Sequence, residues 1–174
     1  MFDVQSIVAA TTAFVQEHHT LAPAVVFGLA FGESLALVSF FIPATVLLLA
    51  IGALIEASGL HFFPIWLAAA CGAALGDAIS YWLGFHYKDR AKRFWPLSRR
   101  PDLVARAEDF FQRFGVWGVA VGRFFGPVRA VVPLVAGVMA MRQSHFQLAN
   151  LASAAVWAFA MLAPGAAAFK MMGW

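Results

Sequence analysis

The chain has 174 residues, is 62% hydrophobic and only 12% charged, and carries a net +3 with a single cysteine. Soluble domains average about 25% charged residues, so the composition excludes a water-soluble globular fold and indicates an integral membrane protein of one domain, residues 1–174. The basic balance does not indicate nucleic acid, because no soluble domain remains to carry such a site. Cys71 has no partner within the chain and lies in an apolar stretch, which reads as packing.

Residues 1–20, "MFDVQSIVAATTAFVQEHHT", contain no Lys or Arg and no small-residue cleavage pattern, so they read as an interfacial helix rather than a signal peptide. The apolar stretch 21–33 is short of the roughly 20 residues a straight span requires. Residues 35–55 are long enough to cross, but Pro43 divides them, and they read as a first re-entrant hairpin. Residues 62–84 form a transmembrane helix. The segment 86–113 carries eight basic and four acidic residues from Lys88 to Arg113, a net +4 against +3 for the whole chain. The positive-inside rule places it in the cytoplasm. Within it, "DLVARAEDFFQRF" has the spacing of an amphipathic helix resting Leu103, Val104, Phe110, Phe111 and Phe114 on the membrane. Residues 115–141 read as a second re-entrant hairpin and 144–169 as a second transmembrane helix.

The two interrupted segments resemble each other. "FFIPATVLLLAIGAL" from Phe40 and "FFGPVRAVVPLVAGVM" from Phe124 share Phe-Phe-x-Pro, with a glycine nine or ten residues after the proline. One span and the basic loop separate them, so they would enter from opposite faces. Such pairs are the sequence sign of an inverted-repeat transporter with its site near the bilayer midplane.

Arg123 and Arg129 lie in the second copy. An arginine at the bilayer centre costs roughly 2.5–3.5 kcal/mol on insertion scales, so both should face protein or water. Pro127 and Pro133 remove backbone donors, and irregular backbone at that depth requires protein or a wet cavity around it. Gly122, Gly126 and Gly137 allow tight turning and close approach. Six residues apart, the guanidiniums would splay on an unbroken helix but could converge across a break at Gly126-Pro127. Convergent guanidiniums suit phosphate or carboxylate; the alternative is pairing with internal acids. Two acids are available: Glu33, just before the first broken segment, and Asp77, within the first span. Gly72 and Gly76 form a small-residue packing face, and Asp77 with Tyr81, one turn apart, has the spacing of an interhelical hydrogen-bond clamp.

Glu33 before the Pro43 segment, "GDAISYWLG" (Gly76, Asp77, Tyr81, Gly84) and "GRFFGPVRAVVPLVAG" together are similar to the DedA family of bacterial inner-membrane proteins, over approximately residues 25–160. The resemblance implies an all-α polytopic membrane protein with two opposed re-entrant hairpins in an inverted repeat, related to eukaryotic lipid scramblases. It implies a non-enzymatic flippase of an anionic polyprenyl phosphate, undecaprenyl phosphate, recycled for cell-envelope synthesis. Arg123, Arg129 and Glu33 fall on its substrate-binding positions. Membrane lipids and protons are the expected partners, homo-oligomers are compatible with it, and no cofactor or metal is called for. Thr45 stands two residues after Pro43, where members commonly have an acid, which removes one carboxylate of a proton relay. Longer members carry a further span beyond the position of "AFKMMGW".

The mechanism expected from these residues is entry of the lipid phosphate between the hairpins onto Arg123 and Arg129, with Glu33 competing for an arginine when ionised. Two other readings remain. Glu33 also suits a proton-coupled exporter of small ions or drugs, and a lipid phosphatase would need a nucleophile and acid/base partner, for which only His145 is near.

Overall fold

The computed structural model describes residues 13, 17–35, 48–52, 55, 60–88, 90, 97–99, 101–124, 129 and 131–171. Most of the N-terminal helix and of the first hairpin, with Pro43 and Thr45, lie outside these residues, as do Gly126 and Pro127. Every element in the described part is helical. In chain order they are α1 (Ala22–Ser34), α2 (Phe62–Tyr87), α3 (Pro101–Phe114), α4 (Val116–Gly122), α5 (Val132–Val138) and α6 (Gln143–Met171), with short 3-10 turns at His19–Leu21 and Leu97–Arg99.

Helices α2 and α6 are apolar along most of their length and long enough to cross a membrane, α6 up to Pro164. They run antiparallel. Trp66 Nε1 donates to the Ala155 carbonyl at 2.9 Å, Asn150 Nδ2 donates to the Ala74 carbonyl at 2.9 Å, and Tyr81 stacks on Phe146 at 4.3 Å. Their outward faces expose Phe63, Trp82, Leu148 and Phe159. That much bare apolar surface is a penalty in water and none in lipid. Cys71 lies on this exposed face rather than in packing.

Glycine sets how closely the helices approach. A Cβ at Gly72 would collide with the Phe27 carbonyl, and one at Gly76 would stand 2.6 Å from the Phe31 carbonyl oxygen, so α1 lies directly on α2. At the other end, Gly84 sits against the Leu134 carbonyl and Gly137 against the Tyr81 carbonyl, where α5 crosses α2. Small residues that admit backbone contact are how membrane helices associate without a hydrophobic driving force. Gly84→Ala and Gly137→Ala are each expected to cost about 1–3 kcal/mol by overpacking. Gly28 has open space at its Cβ position, so Gly28→Ala should be neutral or stabilising by a few tenths to about 1 kcal/mol. Thermal unfolding in detergent measures all three.

Two cores result. One gathers Val26, Ala30, Ile51, Ile65, Trp157 and Leu162 between α1, α2 and α6. The other gathers Tyr81, Phe111, Val119, Leu134 and Phe146 around α3, α4 and α5. Helix α3 is amphipathic, with Asp102 in its first turn and Arg113 in its last, as the helix dipole favours. Its apolar face is nevertheless not spread on lipid as the spacing suggests. Val104 and Phe111 are buried against protein and Phe110 packs beside them, while Phe114 stays exposed. The short α4 and α5 supply an apolar surface that a sequence pattern cannot distinguish from a membrane.

Ser98 is exposed on its 3-10 turn. In a Cys71→Ala background, Ser98→Cys should react with an impermeant thiol reagent only from the cytoplasmic side; labelling from outside intact cells would reverse the orientation.

Candidate functional site: a buried four-charge cluster

The apolar run 115–141 is two seven-residue helices, α4 and α5, with residues 123–131 between them. Each helix is about 10 Å long at 1.5 Å per residue, too short to cross. Gly122 at the end of α4 meets Val132 at the start of α5, where a Cβ would stand 3.0 Å from the valine methyl. Pro133 occupies the first turn of α5. Its missing N–H has no helical acceptor there in any case, so it starts a helix and does not break one.

Arg123, the C-cap of α4, is 4% exposed. Its Nη2 donates to Asp77 Oδ2 in an ion pair and, at 2.6 Å, to Asn150 Oδ1; its Nε donates to Ser153 Oγ at 3.2 Å. Asn150 is held in turn by the Ala74 carbonyl, and Ser153 Oγ donates to the Asn150 carbonyl at 3.1 Å. Among the described residues, Arg123 Nη1 is buried without a hydrogen-bond partner. Asp77 is the sixteenth of the 26 residues of α2, about 22 Å from one end and 15 Å from the other. The pair therefore sits in the middle third of the span.

Arg129 is held differently. Its Nη1 donates to Glu33 Oε1 at 2.9 Å, and its guanidinium lies 4.6 Å over the ring of buried Trp157. The Arg129 side chain is 14% exposed, against 3% for Arg123. Glu33 is brought there by the last turn of α1, next to Ser34, whose carbonyl accepts from Ser80 Oγ at 3.4 Å. The two pairs form one electrostatic unit, since Asp77 feels the charge of Arg129 and Arg123 that of Glu33. Two guanidiniums face two carboxylates, so the cluster is neutral when all four are ionised.

Of the residues singled out in sequence, Glu33, Asp77, Arg123 and Arg129 are brought into this cluster. Gly76, Gly122 and Gly137 serve close packing. Tyr81 donates its hydroxyl to the Met141 carbonyl, so it ties α2 to the loop before α6 and reaches a different partner from Asp77. Asn150, Ser153 and Trp157 were missed. They lie at i, i+3 and i+7 in "NLASAAVW", one face of α6, and two polar residues on a helical stripe within an apolar span were the available signal. His145 is exposed near the start of α6.

A family profile described as the VTT domain matches residues 42–167, which include Asp77, both arginines and the α6 stripe. The chain belongs to this family, the DedA family. It is 38% identical over 136 residues to inner membrane protein YabI of Escherichia coli K12, covering 78% of this chain and 54% of that protein. It is 33% identical to inner membrane protein YghB of Salmonella typhimurium over 137 residues, 76% of this chain and 61% of that one. It is 31% identical to inner membrane protein YqjA of Escherichia coli K12 over 138 residues, with the same coverage. The chain thus spans between half and two thirds of the length of these relatives. No solved structure matches it. With two helices among the described residues long and apolar enough to cross a membrane, this DedA protein is, like those relatives, a bacterial inner-membrane protein.

Proposed function

We propose that this DedA protein translocates an anionic polyprenyl-phosphate lipid, undecaprenyl phosphate, across the inner membrane without covalent chemistry. The observation that carries the reading is the neutral cluster of two arginines and two acids in the middle third of the span, in which one buried guanidinium nitrogen of Arg123 has no acceptor among the described residues. A fixed ion pair for structure alone would consume its donors; a phosphate has oxygens to spare for them.

The division of labour follows from burial. Arg123, held by Asp77, Asn150 and Ser153, is the fixed half of the clamp. Arg129, with one acid and one aromatic face, is the exchangeable half. Because the cluster is neutral, a phosphate enters favourably only if a negative charge leaves or is masked. Protonation of Glu33 does this, releasing Arg129 to the lipid and coupling translocation to a proton without the acid that Thr45 replaces.

The re-entrant, inverted-repeat architecture belongs to the same proposal. The short α4 and α5 meeting at Gly122 and Val132 support a hairpin with its tip at the arginines. The repeat also finds support in the equivalent glycines: Gly52 seats against the Leu162 carbonyl of α6, and Gly137 against the Tyr81 carbonyl of α2, so each half packs on the other half's span.

The test is transfer of undecaprenyl phosphate between leaflets of proteoliposomes containing the purified chain. Transfer above protein-free vesicles, abolished in Arg129→Ala, is the expected result. Release of inorganic phosphate from the lipid would replace the proposal with an enzymatic one, and proton-driven efflux of small ions without lipid transfer would replace it with an exporter.

A further inference from the structure

A second feature lies away from the arginines, where α2 ends and α6 begins. A groove of about 610 Å³ opens there between the two helices. Its floor is aromatic: Tyr81, Trp82 and Phe85 line it, the last two 52% and 42% exposed, and the Trp82 ring lies 4.3 Å from that of His86. Its rim is polar, with His86, Arg142, Gln143 and Gln147, and no acid lines it among the described residues. Through His86 it continues into a smaller depression bordered by Lys88 and Arg90. An apolar trough at a span's end, rimmed by cationic groups, matches a lipid that is anionic at the head and apolar below.

The amides narrow the occupant. Gln147 lies one turn after Gln143 on α6, about 6 Å further along the helix axis. Its Oε1 accepts from Asn150 Nδ2 at 3.5 Å, which directs its NH2 group away from that contact. A phosphate at Arg142 would thus have amide donors one turn deeper. Glycerophospholipids carry ester carbonyls at that depth, whereas a polyprenyl phosphate has only hydrocarbon beneath its phosphate and would leave the donors unmatched.

We propose that this groove binds an anionic glycerophospholipid, its phosphate on Arg142 beside His86 and Lys88, its ester carbonyls on Gln147, and an acyl chain along Trp82 and Phe85. The site is separate from the arginine cluster and does not depend on the transport proposal. It does share one residue's reach: Gln147 touches Asn150, which holds Arg123, so two hydrogen bonds link the lipid's contact residue to the fixed half of the clamp.

Native mass spectrometry of the full chain in detergent, titrated separately with dioleoyl phosphatidylglycerol, dioleoyl phosphatidylcholine and undecaprenyl phosphate, tests this. Phosphatidylglycerol should be retained at least fivefold more than phosphatidylcholine. Arg142→Ala and Gln147→Leu should each remove most of that preference, and Arg142→Glu should invert it, with undecaprenyl phosphate retention unchanged in the two Arg142 variants. Arg142 is exposed, so its variants should keep the parent's thermal unfolding temperature. Equal retention of the two phospholipids, an undiminished preference in folded Arg142→Glu, or loss of undecaprenyl phosphate in place of phosphatidylglycerol would each overturn the proposal.

Discussion

Asp77→Ala is expected to lower the unfolding free energy by about 3–5 kcal/mol, the cost of leaving a buried charge without its counter-ion. Arg123 is 4% exposed and mid-span, so loss of Asp77 leaves its guanidinium buried without its counter-ion. Arg123→Ala should cost a similar amount, because it strands Asp77 and removes the donor from Asn150 Oδ1. Asp77→Asn keeps an acceptor in place and should cost less. Replacing both partners with leucine removes the two charges together, and buried pairs exchanged for apolar residues are often neutral or stabilising. Here Asn150 and Ser153 would still lose their partner, so the double variant should recover most but not all of the stability. Thermal unfolding in detergent reads all four proteins. An Asp77→Ala protein as stable as the parent would show that the pair contributes nothing to the fold.

Arg129 should differ in having a large effect on ligand; its loss also leaves Glu33, as buried as Asp77, without that guanidinium and should cost stability as well. Among the described residues Arg129 makes one ion pair and one cation–π contact with Trp157, the latter worth about 0.5–2 kcal/mol. Loss of a charged hydrogen bond to phosphate, about 1.5–3 kcal/mol, weakens binding by roughly tenfold to over a hundredfold. Arg129→Ala should show that loss of affinity for undecaprenyl phosphate in nanodiscs. Arg129→Lys should fall between, since it keeps charge but loses the planar fork. Glu33→Gln removes the competitor. At neutral pH it should bind the lipid phosphate more tightly than the parent. Unchanged affinity in a folded Arg129→Ala protein would remove the headgroup clamp. A Glu33→Gln protein with only the parent's affinity would remove the competition by Glu33.

Neither prediction could be assigned to its arginine from sequence. Arg129 lies six residues after Arg123 in one apolar run, the Phe124-Phe125 and Pro127 landmarks fall between them, and either could pair with Glu33 or Asp77. The partition depends on where α4 stops and α5 starts relative to α1, α2 and α6. Asp77 and Arg123 are 46 positions apart, and Glu33 and Arg129 are 96. Contacts at that separation leave no periodic trace. The same limit applied to α3, whose amphipathic pattern was legible while the surface it would cover was not.

What the sequence determined by itself was the solvent, the two spans and the residues too costly to be idle. Hydropathy over some 20 residues is a local property set by bilayer thickness, which is why 62–84 and 144–169 correspond so nearly to Phe62–Tyr87 and Gln143–Met171. A charge in an apolar run is equally conspicuous, since its insertion cost does not depend on its partner. The tertiary structure alone decided the partners: Asp77 with Arg123, Glu33 with Arg129, and the Asn150, Ser153 and Trp157 face of α6 behind them. Hydrogen bonds and ion pairs are short-ranged and directional, so they are fixed by how glycine-lined helices approach within contact distance, and that approach is a property of the packed bundle and not of any one segment.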